Sequence, residues 1–379
     1  METKAKVRLS NIELLKIIAL ILIIFSHCLP NYGDESADSF VNIDMASNDF
    51  QVAMLSCFKY FGQIGNAIFI FCSAYFLVDS KVVKGKKILY IIFDAFIISV
   101  IFLCGFLAGG YKLSGGEIAL QFIPITSRFN WFIGCYLILY AVHPLLNKII
   151  HGTAKRYLLL FNIFLFVLYC VMEFVGGELL NMFYYTHLVG FICLYFFTGY
   201  VKLHMQNFLS NAKLQAVILA CSIVGFAGLM VATEFLGLNI GFFADKMIHW
   251  NEINNPFIIG MAISSFALFN KINPEKLKGG KVYCYISSLS LPIYMIHENK
   301  LFRDYIRPQI FEWIYENFSY KYLVGWCVLL VIVTFVASVA LAAAYKHSIG
   351  RLLRLVIDKC YPKLSAAGNK LLDKLESKD

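Results

Sequence analysis

The chain has little charge. Of its 379 residues 15% are Asp, Glu, Lys or Arg and 59% are hydrophobic, where a typical soluble domain carries about 25% charge. A soluble fold of this length cannot hide so much apolar surface, so a soluble globular class is excluded. The loops between apolar runs lack a nucleotide-binding glycine loop and a nucleophile elbow, the signatures of common phosphate-binding and serine-hydrolase sites. The eleven cysteines include no Cys-x-x-Cys pair and no metal-ligand spacing. They read as small packing residues, and no metal site is expected. No clear internal repeat is visible.

What is present is a succession of apolar runs, each long enough to cross a bilayer: Leu14–Pro30, Phe58–Val78, Ile88–Ala108, Trp131–Ile149, Leu158–Val175, Met182–Val201, Leu214–Phe235, Pro256–Phe269, Tyr283–Asn299 and Tyr322–Tyr345. Spanning segments must satisfy their own backbone hydrogen bonds, which predicts an all-α, polytopic membrane bundle of about ten helices. The eighth and ninth runs are short. The first resembles a signal peptide but is too long and has no small-residue cleavage site after it, so it is expected to be retained.

The 33 basic residues outnumber the 24 acidic ones, and their placement explains the excess. Lys4, Lys6 and Arg8 precede the first run. Lys81, Lys84, Lys86 and Lys87 follow the second, and Lys148, Lys155 and Arg156 follow the fourth. Lys202 and Lys213, then Lys271 to Lys281, then Lys346 onward continue the alternation. The opposite loops hold Lys112, Arg128, Lys246 and a group from Lys300 to Lys321, and the first of them carries Asp34, Glu35, Asp38, Asp44 and Asp49. This positive-inside pattern predicts an even number of spans and two cytoplasmic termini. It needs no nucleic-acid partner. Residues 1–345 read as the membrane domain and 346–379 as a basic, amphipathic cytoplasmic tail lying on membrane lipid.

Ionisable groups inside apolar runs are costly and point to function. Lys16 and His27 share the first run, roughly 16 Å apart along a helix. Their bland reading is a snorkelling cation and an interfacial imidazole. His297, near the end of the ninth run, lies at about the same depth as His27, and Glu298 beside it is placed to orient an imidazole. Asn66 is a polar group within the second run and needs a partner. Asp94 is expected to neutralise a lysine, while for His143, near the inner end of its run, a capping or structural role and a functional one stand equal.

Several motifs occur in order: Lys16, ten residues and His27; Gly62 to Leu77 with Ser73-Ala74-Tyr75; Lys84, Lys86 and Lys87; Trp131-Phe132 through Tyr140 and Pro144; Phe197-Thr198-Gly199-Tyr200; and Ile293-Tyr294-Met295-Ile296-His297. Together they resemble the integral-membrane acyltransferase family 3, which includes bacterial polysaccharide O-acetyltransferases. Lysine stands at Lys16 and at the third-run cluster where the family more often has arginine, and Ala74 where it has glycine. The resemblance spans about residues 8–345, without the appended esterase-like domain of some members.

The resemblance implies an acyl-CoA donor, acetyl-CoA foremost, and an acceptor hydroxyl on a cell-surface polysaccharide or its lipid-linked precursor at the bacterial plasma membrane. Lys16, Lys84, Lys86, Lys87 and Trp131 are the expected donor-binding residues, and His27, His297 and Asn66 the expected catalytic ones. His27 would act as base or transient acyl carrier, with His297 and Asn66 orienting groups or stabilising the oxyanion. The alternative is a transporter or flippase for a glycan or small acyl compound, for which Asp94 and Glu173 are the intramembrane carboxylates.

Overall fold

The computed structural model describes residues 9–28, 60–125, 130–171, 186–239 and 252–376, with Met54 and Phe58. The first-loop acids, Arg128, Glu173 and Lys246 lie outside the described residues. Among the described residues every regular element is helical, as the absence of water to bond an open sheet edge requires.

Helices α1 (Ser10–His27), α2 (Phe61–Leu77), α3 (Gly85–Ala108), the short α4 (Gly115–Phe122) and α5 (Trp131–Gly152) come first. Then follow α6 (Lys155–Phe166), extended by a π-helical turn over Val167–Val171, α7 (Thr186–His204), α8 (Gln206–Ser210) and α9 (Ala212–Asn239). The C-terminal part holds α10 (Pro256–Asn270), α11 (Gly280–Ser287), α12 (Ser290–His297), α13 (Arg307–Asn317), α14 (Leu323–His347) and α15 (Ile349–Glu376). Five of these, α1, α3, α5, α9 and α14, are long and apolar enough to cross a membrane, while α2 and α10 are apolar but shorter. The chain is a helical membrane bundle.

The ninth apolar run departs from the expected single helix. It is broken into α11 and α12 at Ser288-Leu289. Pro292 cannot donate the backbone bond that would carry the helix through this point. The Ser288 and Ser290 hydroxyls donate instead to the carbonyls of Tyr285 and Ser287 at 2.6 and 2.8 Å. The break leaves α12 a short rod that ends at His297.

Helix α1 is central and packs against α2, α10, α11, α12 and α14. Its first turn is polar yet buried. Asn11 donates to the carbonyls of Phe269 and Ile272 at 2.9 and 3.0 Å, and Ser10 to that of Pro274 at 2.8 Å. These carbonyls lie at the end of α10 and in the turn after it, where few intrahelical donors remain. Helix α2 runs antiparallel to α1: Gly62 lies against Ser26, and Gly65 against Ala19 and Ile23. A Cβ on Gly65 would stand 2.4 Å from the Ala19 carbonyl oxygen, so the two backbones meet as small residues allow.

Asp94 has a different partner from the one expected. It accepts from Tyr345 at 2.7 Å and pairs with Arg354 of α15 at 3.4 Å. The cation comes from the tail, which folds back along α3. Asp358 fixes the same contact by taking Lys86 at 2.8 Å and Tyr90 at 2.7 Å. At the opposite end, α4 starts with a reciprocal cap between Ser114 and Glu117. The Glu117 carboxylate also accepts from Tyr305 at 2.6 Å, which fastens α4 to the π-helical turn Phe302–Ile306.

Substituting Gly65 by Leu is expected to destabilise the α1–α2 pair by about 1–3 kcal/mol through overpacking, read as a lower thermal midpoint in detergent. Gly228→Ala, where a Cβ meets open space within a helix, is expected to stabilise by about 0.5–1 kcal/mol. The Tyr305 hydroxyl, then the Ser114 backbone and hydroxyl, hold the Glu117 carboxyl down at about 2, against an ordinary 4.5. Its contribution is therefore complete above a pH of about 4.5 and lost as pH falls toward about 2. Protection of the α4 amides, taken relative to intrinsic exchange at the same pH, should hold above the first value and fall toward the second, and Tyr305→Phe should move that change to higher pH.

Candidate active site

His27 ends α1 and His297 ends α12, and the structure brings them together. His27 Nδ1 lies 3.1 Å from His297 Nε2 and 3.2 Å from Glu298 Oε2. Adjacent residues of a helix point about 100° apart, which would keep His297 and Glu298 from a common target. They converge because α12 stops at His297. Glu298 leaves helical geometry, at φ −107° and ψ 16°, and swings toward α1.

Glu298 is buried, and two arginines meet it there. Arg307 Nη2 donates to Glu298 Oε2 at 3.0 Å and to the His297 carbonyl at 2.6 Å. Arg303 Nη1 lies 3.6 Å from Glu298 Oε1. Arg307 is itself 8% exposed. The turn that returns both cations is set locally: Leu301 N–H donates to Asn299 Oδ1 at 3.0 Å and Arg303 N–H to the Asn299 carbonyl at 2.9 Å. The group from Lys300 to Lys321 thus contains more than loop charge. An acidic residue at the end of an apolar run, with arginines five and nine residues on, is the signal from which these two could have been found.

Hydrogen-bond partners fix the proton positions. His297 Nδ1 lies 2.8 Å from the Ile293 carbonyl, which only accepts, so Nδ1 carries the proton and Nε2 the lone pair. His27 Nδ1 then faces two acceptors, His297 Nε2 and Glu298 Oε2, and must carry a proton. In neutral His27 the free lone pair is on Nε2, on the other side of the ring. A base whose other nitrogen is held by a buried carboxylate has the arrangement of general base catalysis. The Tyr294 ring stands edge-on to both imidazoles, at 6.2 and 5.6 Å between centroids.

His27, His297 and Glu298 present one ligand atom each within 4.8 Å of one another, close enough for a cation. The charges argue for a proton instead. Glu298 already serves two guanidinium groups, and a divalent ion would add a third positive centre to a carboxylate that is already matched.

The other expected site residues are dispersed. Lys16 pairs with Glu13 at 3.4 Å, and Glu13 also accepts from Ser287. Lys16 and His27 are eleven residues apart and share one face of α1. Lys87 donates to the Tyr136 hydroxyl at 2.9 Å, with its ammonium 4.2 Å from the Tyr140 ring centre. Lys86 is engaged by Asp358, and the Lys84 backbone N–H donates to Tyr140 at 3.2 Å. Trp131 lies at the His27 end of α5, away from Lys84 and Lys86. It stacks on His187 at 4.0 Å and reaches His27 through Phe132 and Tyr294.

Asn66 is not bonded to either histidine. It donates to Gln63 at 3.2 Å, and Gln63 donates to Glu252 at 3.3 Å. The Asn66 carbonyl oxygen is buried with no partner among the described residues. His143 is buried, with Nδ1 2.6 Å from the Tyr140 carbonyl.

The bundle of apolar helices thus holds an oriented imidazole beside a buried carboxylate. The chain belongs to acyltransferase family 3, whose family model, an acyltransferase domain, matches residues 9–343. No curated protein and no solved structure matches it. Family membership makes the protein a membrane acyltransferase.

Removing Arg307 leaves Glu298 buried with half of its compensation. Arg307→Ala is expected to cost about 3–5 kcal/mol, as breaking a buried pair does, and to lower the thermal midpoint well below that of Arg303→Ala. Equal, small shifts for both would show that Glu298 is solvated.

Proposed function

We propose that the protein moves an acyl group, acetyl foremost, from cytoplasmic acyl-CoA to a hydroxyl of a cell-surface polysaccharide or its lipid-linked precursor at the bacterial plasma membrane. The observation that carries this reading is the His27 imidazole, with Nδ1–H between two acceptors and Nε2 without a partner among the described residues. The lysine-rich end of the bundle is taken as cytoplasmic from the distribution of charge, with both termini on that side.

His27 Nε2 takes the acceptor hydroxyl proton as that oxygen attacks the thioester carbonyl. The new ester C–O bond forms, the C–S bond breaks, and the proton passes from Nε2 to the departing sulfur, which leaves as the free thiol. Glu298 stabilises the imidazolium between these two transfers, and the arginines keep that carboxylate in place. His297 fixes the His27 ring through its lone pair. Lys16 and Lys87, set along the bundle between the lysine-rich end and His27, suit the anionic nucleotide and its arm. Lys84 and Lys86 stand at the entrance, where Lys86 exchanges Asp358 for phosphate.

Purified protein is expected to bind acetyl-CoA saturably, and Lys16→Ala to weaken that binding. His27→Ala should bind nearly as wild type while turnover drops by about 10²–10⁴-fold, the usual contribution of a positioned base. Turnover that survives His27→Ala in a folded sample overturns the assignment. Mixing with acetyl-CoA alone should leave no acetyl adduct on the protein by mass spectrometry, because the base acts on the acceptor. A chelator should leave turnover unchanged.

A further inference from the structure

Several cations at the lysine-rich end of the bundle are already engaged. Lys16 is held by Glu13, Lys86 by Asp358, Lys87 by Tyr136 and Lys202 by Asp79 at 2.6 Å. Lys81 and Lys148 pair with nothing among the described residues. Both line one pocket of about 530 Å³, between the turn after α2 and the last turns of α5. That volume falls within the range of small-molecule sites.

The pocket is braced from behind. The Asn147 amide donates to the carbonyls of Leu77 and Ser80, each at 2.8 Å, and its oxygen accepts from Tyr195 at 2.7 Å. These bonds tie the end of α2 to α5 and α7. His151 Nε2 lies 2.9 Å from the Val78 carbonyl, so that nitrogen carries the proton and Nδ1 keeps a lone pair. Asp79, the only acid lining the pocket among the described residues, is neutralised by Lys202. Two ammonium groups therefore remain uncompensated. A phosphomonoester carries about −1.5 to −2 at neutral pH, and lysine meets phosphate as a compact point charge.

The pocket also stands at the foot of a path to His27. One ridge of α5, every fourth residue, runs through Lys148, Pro144, Tyr140, Tyr136 and Phe132. It covers about 24 Å along the helix. At its far end Phe132 packs on Tyr294 at 5.6 Å and Tyr294 on His27 at 6.2 Å, between ring centres. Midway, Tyr136 and Tyr140 stack at 6.3 Å and hold Lys87. Lys84, three residues after Lys81, joins the pocket end to Tyr140 through its backbone N–H. Extended coenzyme A separates its thiol from its nucleotide by a comparable length. A thioester at His27 then puts the diphosphate near Lys87 and Lys84, and the 3′-phosphate at the pocket.

We infer, resting on the acyl-CoA reading, that the pocket between Lys81 and Lys148 is a phosphomonoester site that takes the 3′-phosphate of the donor's nucleotide. The donor is then free acyl-coenzyme A. The phosphopantetheine of a carrier protein has no nucleotide and would leave both lysines unpaired.

The probes are acetyl-CoA and its 3′-dephospho analogue, offered to the full-length protein in neutral detergent. Wild type is expected to bind acetyl-CoA at least about tenfold more tightly, the effect of one charge-assisted contact. Lys81→Ala and Lys148→Ala should each weaken acetyl-CoA binding severalfold and leave the 3′-dephospho analogue unchanged, and the double variant should lose the preference. Lys278→Ala, at an exposed lysine of the same end, should change neither, which separates a site from general attraction. Competition by phosphatidic acid, a lipid phosphomonoester, is measured alongside.

A preference that survives in the double variant overturns the inference while the acyl-CoA reading stands, and equal binding of both probes by wild type does the same. Binding of neither probe to folded wild type overturns the acyl-CoA reading and the inference with it. Phosphatidic acid binding that Lys148→Ala abolishes, without discrimination between the two probes, gives the pocket to a lipid headgroup and overturns the nucleotide assignment.

Discussion

The structure depends on one buried charge. Glu298 sits among apolar helices, where an isolated carboxylate would be too costly to keep ionised. Arg307 and Arg303 make that ionisation tolerable. In return the carboxylate holds three separate pieces of chain in register: the end of α1 through His27, the end of α12, and the start of α13. Arg307 strengthens the joint by also taking the His297 carbonyl, one of the unbonded carbonyls that a helix end leaves. The same contacts decide which imidazole nitrogen is free. Stability and proton position therefore have a single origin.

The rest of the bundle keeps that joint in place. Helix α1 is pinned at its first turn by Ser10, Asn11 and Glu13, so its far end arrives at a defined height. Gly62 and Gly65 bring α2 against it. The break between α11 and α12 sets a short helix free to aim its last residue at α1. Such a break within an apolar run costs backbone hydrogen bonds, and the serine hydroxyls recover some of them. On the other side, Tyr305 and Glu117 fasten α4 to the turn that carries the arginines.

Much of this was legible in the chain. Hydropathy over successive runs named a helical membrane bundle, because lipid leaves the backbone no other choice. His27 and His297 were legible because both imidazoles end apolar runs at matching depth. Asp94 was legible as a buried acid but not its partner, since Arg354 arrives from a tail helix 260 residues away. Arg303 and Arg307 were hidden among loop cations, because a charge next to an apolar run reads as topology until a buried acid is found beside it. Asn66 was legible as a polar group inside the bundle, but it points to Gln63 and the Glu252 side.

The sequence by itself determined the class of structure, the long apolar helices and the placing of two histidines at the ends of apolar runs, for these follow from the cost of polar groups in lipid and are local. The tertiary structure alone decided that His297 and Glu298 meet His27 together, that two arginines share that carboxylate, and that the tail closes on α3. Each of these joins residues far apart in the chain, through a helix ending, a turn or a fold-back whose direction no periodicity encodes.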